Sequence, residues 1–213
     1  MTINHLVNFV NIPISFSYVC VWKKPIAIYP DFITDKEFSK SFFDNGNNTV
    51  GTATDGFTII NQNRPNDSLT IGNIKFVISA SSKDDLYKYY ERFLSKLDEE
   101  PEYKGLTSTI AYGINILFEL EFENDVLPLI ADKFLKPNID IQLENIEYKV
   151  LLDDNEYCRV NMMTKSDSLK TLLIATNHHH ANNGSILSLD EIIDSVENSL
   201  KIINDIVINK LSN

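Results

Sequence analysis

The stretch Leu106–Glu123, LTSTIAYGINILFELEFE, decides the fold. Its even-numbered side chains from Ile110 to Phe122 are all apolar: Ile110, Tyr112, Ile114, Ile116, Phe118, Leu120 and Phe122. The odd-numbered set includes Thr109, Gly113, Asn115, Glu119, Glu121 and Glu123. Alternation this strict specifies a β-strand with one face on a core and the other largely in water. At roughly 3.3 Å per residue the strand runs to more than 40 Å, longer than most globular strands. It predicts the central strand, about 106–123, of an antiparallel sheet whose even face is covered by helices.

Towards the N-terminus, Ile14, Phe16, Tyr18, Cys20 and Trp22 share one face of a second alternating run, and its length suits an edge strand able to extend a sheet across a dimer. Thr34 with Glu37, followed by Phe38 and Phe42, predicts a short helix from Asp35 to Phe43. A hairpin is expected between Thr49 and Asn61 around Thr54-Asp55-Gly56, then one strand from Leu69 to Ala80 with Ile74, Phe76, Ile78 and Ala80 on one face. Ser82 caps a helix over about 83–99, whose apolar stripe is Leu86, Tyr89, Tyr90, Phe93 and Leu97.

Towards the C-terminus, Pro128 in a first turn predicts a helix over about 125–136 closed by Pro137. A three-strand meander follows: Ile146–Leu152, Cys158–Met162 and Leu169–Thr176, turning at Asp153-Asp154-Asn155 and Lys165-Ser166-Asp167-Ser168. The segment NHHHANNG reads as a loop. Ser188 with Glu191 is a capping box, and the last apolar stripe predicts a helix over about 189–211. No fixed-period repeat is visible. The fold class is α+β, a mainly antiparallel sheet with helices packed on one face, in a single domain over 1–213 with a soft boundary near 137.

The chain has 213 residues, 43% hydrophobic and 23% charged, which fits a folded globular domain and excludes wholesale disorder. A net charge of −11 argues against nucleic acid and anionic membrane as partners, since both select basic surfaces. Cys20 and Cys158, the two cysteines, sit in apolar alternating runs and read as buried thiols in a reducing cytoplasm. MTINHLVNF carries neither a basic n-region nor an apolar h-region, which agrees with a cytoplasmic chain.

The conspicuous polar cluster is His178-His179-His180. Imidazoles bind borderline divalent metals and exchange protons near neutral pH. Adjacent side chains diverge, however, and a metal site needs further ligands that nothing in the sequence marks. Glu119 and Glu121 share the wet face of the central strand and could do acid–base chemistry, but a solvated strand end faced by lysines accounts for them. Lys88, Arg92 and Lys96 make an i,i+4,i+8 stripe neutralised within the helix by Asp84 and Glu100. Trp22, the single tryptophan, suits a core position or an interface anchor. The motifs GxGxxG, GxxxxGK[ST], GxSxG, HExxH and CxxC are all missing from the sequence.

The expectation is therefore a non-enzymatic acidic protein working through a protein partner or self-association, of the immunity or antitoxin kind or from host–phage conflict, with no cofactor and no resident metal. The candidate ligand or interface residues are His178, His179, His180, Glu119, Glu121 and Trp22. The alternative is a metal-assisted hydrolase built on His178–His180 with nearby carboxylates. The small odd-face residues Ala111, Gly113 and Asn115 leave room for a ligand against the central strand.

Overall fold

The computed structural model describes residues 13–25, 36–44, 47–53, 56–99, 108–122, 124–126, 128 and 145–208. In chain order the elements are β1 (Pro13–Trp22), α1 (Lys36–Ser41), β2 (Asn48–Ala53), β3 (Gly56–Asn61), β4 (Ser68–Gly72), β5 (Lys75–Ala80), α2 (Lys83–Glu99), β6 (Ser108–Glu121), β7 (Asn145–Leu151), β8 (Glu156–Lys165), β9 (Ser168–Ser185) and α3 (Leu189–Ile203), which runs on into a π-helical turn, Asn204–Ile208. The strands form one nine-stranded sheet in the order β2-β3-β4-β5-β1-β6-β9-β8-β7. Each pairing in it is antiparallel.

The two halves of the chain repeat one topology. In each, a first strand (β1 or β6) is followed by a meander whose last strand (β5 or β9) pairs back onto it, and a helix (α2 or α3) follows within a few residues. The halves join through β1 and β6, with Phe16 opposite Ile116 and Tyr18 opposite Ile114. The alternating stretch forms β6, an interior strand of 14 residues flanked by β1 and β9.

The register puts even-numbered residues of β1, β5, β6, β8 and β9 on one face, and these make the core: Phe16, Tyr18, Cys20, Phe76, Ile78, Ile114, Ile116, Phe118, Val160, Met162 and Ile174 are buried. Helix α2 reaches this face through Tyr90, edge-on to Tyr18 at 5.2 Å, and Phe93, 4.7 Å from Phe76. Helix α3 begins with the expected capping box, Ser188 and Glu191, and buries Ile192, Val196 and Ile203. Among the described residues no helix is long and apolar enough to cross a membrane.

Five expectations need correction. β1 is no edge strand, because β5 and β6 flank it; the sheet's edges are β2 and β7. Leu69–Ala80 is two strands, since the chain turns at Asn73 and Ile74 and leaves Ile74 46% exposed. Ile110 is 43% exposed although it belongs to the apolar even set. A register shift between Thr109 and Ala111, matched by one between Val21 and Trp22, bulges β6 here. The extra residue turns Ile110 outward and carries Thr109 into the core opposite Trp22. The supposed NHHHANNG loop is the second half of β9, which continues to Ser185. On the basic stripe, Lys88 pairs with Asp44, which Arg92 shares, in place of the expected Asp84; Lys96 pairs within the helix with Glu99, and Glu100 lies outside the described residues.

The expected helix over about 125–136 shows helical backbone at Val126 and Pro128; its remainder, the turn residues Thr54-Asp55, Glu123, and the soft boundary near 137 lie outside the described residues.

Candidate functional site

Continuing β9 through the histidines splits them between faces, as period two requires. Leu172, Ile174, Thr176, His178 and His180 follow one another on the core face, while His179 points to the other side. His179 stacks on Tyr157 at 4.6 Å, and Lys149 Nζ lies 3.8 Å over the same tyrosine ring. His178 is fully buried beneath α3.

The strand pairing places Glu156, the first residue of β8, opposite His180, and Cys158 opposite His178. His178 Nε2 is 2.6 Å from Glu156 Oε1, and His180 Nδ1 is 3.9 Å from Glu156 Oε2. On its far side, His178 Nδ1 is 2.7 Å from Ser199 Oγ of α3. The Ser199 hydroxyl donates back to the Ser195 carbonyl at 2.7 Å. The His178 and His180 rings lie 4.1 Å apart, and Tyr112 stacks flat on His180 at 4.5 Å and 14°, fixing its plane. Burial lowers the pKa of both imidazoles: His178 despite the pull of Glu156, and His180 to about 4 with His178 adding to the effect. Burial thus favours the neutral ring at both positions, the state in which imidazole ligates metals.

Glu156 is the member that composition hid. Asp153-Asp154-Asn155-Glu156 reads as a hairpin turn, and Glu156 is in fact the first ladder residue of β8. A signal was available, since His178 and His180 continue the even alternation and so share a face.

The sheet's other face carries a second arrangement. Ser17, Asn115, Asn177 and Arg159 are consecutive cross-strand partners on β1, β6, β9 and β8. Asn115 Nδ2 donates to Ser17 Oγ at 3.0 Å, and Asn177 Nδ2 donates to Asn115 Oδ1 at 2.6 Å. Gly113 makes room for this ladder: a Cβ there would lie 2.9 Å from Asn177 Nδ2. Beside the ladder runs a groove of about 330 Å³, lined by Ser15, Leu117, Asn161 and Ala175 together with ladder residues. Asn161 Oδ1 is buried there with no hydrogen-bond partner. Ala111, Gly113 and Asn115, the small odd-face residues of the central strand, lie on this face.

The other candidates lie apart from both places. Glu119 is held by Lys165 at 2.9 Å, the lysine expected across from it, and Glu121 is an exposed strand end. Along β6 they sit five or more residues from the residue opposite His178, roughly 16 Å away. Trp22 is a core residue, 4% exposed, with its indole N–H directed at the Gly72 carbonyl. The thiols are free and buried, and burial pushes Cys20 up to about 12 and Cys158 to about 11, far from a reactive thiolate.

No protein-family model matches this chain, and no curated protein sequence matches it.

Proposed function

We propose that this chain is a single-domain, non-enzymatic binding protein whose helices form one layer on the even face, and that it takes an extended segment of a protein partner on the open odd face. The observation that carries this reading is Asn161 Oδ1, a buried acceptor without a partner in the floor of the groove. A buried polar group in that state calls for a donor, and a backbone N–H or a hydroxyl of a bound segment supplies one. The ladder from Ser17 to Asn177 holds neighbouring amides in fixed orientation, so little ordering remains to be done on binding. Ser15, Ser17 and Ala175 keep part of the groove wall low enough for a backbone to approach. Two buried free thiols fit a reducing cytoplasmic setting.

A metal-assisted hydrolase at Glu156, His178 and His180 is the second reading, favoured by their convergence. It ranks lower because His178 is fully buried and Ser199 closes its outer side, whereas hydrolysis needs a coordination position open to water and substrate.

The test is native mass spectrometry of untagged protein purified gently from its own host, with Ala175→Arg as comparison. Ala175 sits mid-groove between Leu117 and Asn161, so a long charged side chain there blocks the groove without entering the core. The expected result is a complex for the natural chain that Ala175→Arg abolishes at an unchanged unfolding midpoint. A bare monomer from the natural chain, or a complex indifferent to Ala175→Arg, overturns the proposal.

A further inference from the structure

We infer that Glu156, His178 and His180 form a binding site for one divalent transition-metal ion of the zinc class, which bridges β8 and β9 beneath α3. Each residue offers a ligand atom, and these atoms lie within 4.8 Å of one another. Two imidazole nitrogens and a carboxylate are a donor set that suits zinc and its first-row neighbours and poorly suits magnesium or calcium, which take oxygen ligands.

Hydrogen-bond arithmetic supplies the second argument. The single Ser199 proton is directed at the Ser195 carbonyl, so Ser199 Oγ faces His178 Nδ1 as an acceptor. In the tautomer that matches this serine, His178 carries its proton on Nδ1 and turns the Nε2 lone pair toward Glu156 Oε1, 2.6 Å away. An imidazole nitrogen and a carboxylate oxygen this close share either a proton or a metal ion. No lysine or arginine ion pair to Glu156 occurs among the described residues. A metal ion takes that place once the two atoms part to roughly 3.4 Å, the spacing of two ligand atoms held tetrahedrally at about 2.0–2.2 Å.

The surroundings fit a built site. Ser199 orients His178 as outer partners of metal-bound histidines do. Tyr112 fixes the plane of His180. His180 Nε2 is buried and has no hydrogen-bond partner, so either nitrogen of that ring is available. The site lies on the opposite face of the sheet from the groove, so it stands or falls independently of the partner reading.

The test uses the full untagged chain, purified without metal-affinity resin, stripped with EDTA, dialysed, and titrated calorimetrically with zinc sulfate alone. One saturable site per chain is expected, with thermal stabilisation that EDTA reverses and magnesium sulfate does not reproduce. Glu156→Gln and His180→Asn are near-isosteric changes at partly exposed side chains and should fold; each is expected to weaken zinc at least tenfold, and Ser199→Ala about 10–100-fold. No saturable zinc binding, an equal response to magnesium, or variants that bind zinc as tightly as the natural chain would overturn the site. So would an imidazole ¹⁵N spectrum in which zinc leaves the His178 nitrogens unmoved.

Discussion

Glu156→Gln in the metal-free protein separates the two ways of placing the proton on His178. If His178 carries it on Nδ1, Nε2 is an acceptor facing a carboxylate, two acceptors 2.6 Å apart at the edge of a buried site. The glutamine amide brings an N–H into the same place, donates to Nε2, and leaves Ser199 accepting from Nδ1. Making a good hydrogen bond where a repulsive contact stood is worth about 0.5–1.5 kcal/mol. The variant should therefore be as stable as the natural chain or more stable by that amount. If Nε2 instead donates to the carboxylate, the substitution replaces a charge-assisted bond by a neutral one. Bonds to charged groups contribute about 1.5–3 kcal/mol, so roughly half of that would be lost. Urea unfolding in EDTA at pH 7.5 reads the sign. With a slope of about 1–3 kcal/mol/M, a loss of 1 kcal/mol moves the midpoint down by roughly 0.3–1 M. A lower midpoint at unchanged slope refutes the proton placement and removes the strongest support for the metal.

Three further outcomes follow from the geometry. Asp67 is fully buried and accepts from Ser81 N and Ser81 Oγ at 2.7 Å and from Tyr89 Oη at 2.8 Å, with Arg64 Nε 2.9 Å away. Asp67→Ala orphans all four groups and should cost about 3–5 kcal/mol, read as a drop in the urea midpoint. Gly113→Ala drives a methyl to within 2.9 Å of Asn177 Nδ2. The Asn177–Asn115 bond should break at a cost of about 1–3 kcal/mol, and the side-chain amide NMR resonances of both residues should shift. Lys88 and Arg92 hold the Asp44 carboxyl below its usual range, and at Asp85 burial raises the pKa but the bonds from Arg64 and Ser82 outweigh it. Stability from these depressed groups is complete above the unfolded carboxyl value of about 3.9 and is lost as pH falls through the folded values. The urea midpoint should therefore decline below about pH 4, and less steeply in Asp44→Asn and Asp85→Asn.

Where local pattern and tertiary context agree, the sequence is a sufficient guide. β6 reads directly from its alternation, α2 from its stripe between Ser82 and Glu99, and the α3 start from Ser188 and Glu191. It misleads where a neighbour overrides composition. Asn177–Gly184 has the residues of a loop, yet β6 lies along one side of it and β8 along part of the other, and their ladders hold it as strand. Ile110 is apolar and in phase, yet one extra residue opposite Val21 and Trp22 turns it outward. Those same two causes hid the site, since a loop reading cannot reveal that His178 and His180 share a face. Which face Glu156 joins depends on a register that only the folded sheet fixes.

The repeated topology gives the histidine site a counterpart. In the first half a carboxylate, Asp67, directly precedes β4 and ties the end of β5 to α2 through Ser81 and Tyr89. In the second half a carboxylate, Glu156, opens β8 and ties β9 to α3 through His178 and Ser199. The mechanical task is the same: a closing strand and the helix after it are locked together by an acidic group at the sheet's end. The difference is the source of positive charge. Arg64 stands beside Asp67 and also donates to Asp85 and Tyr89 at 2.8 and 2.7 Å, so the first lock is neutralised from within the chain. Glu156 meets two imidazoles whose pKa values burial lowers, and no lysine or arginine pairs with it among the described residues. The proposed metal ion would supply the missing positive charge. The second half should thus open at lower free energy than the first in EDTA, with amides of β8 and α3 exchanging before those of β4 and α2, and zinc should close that gap.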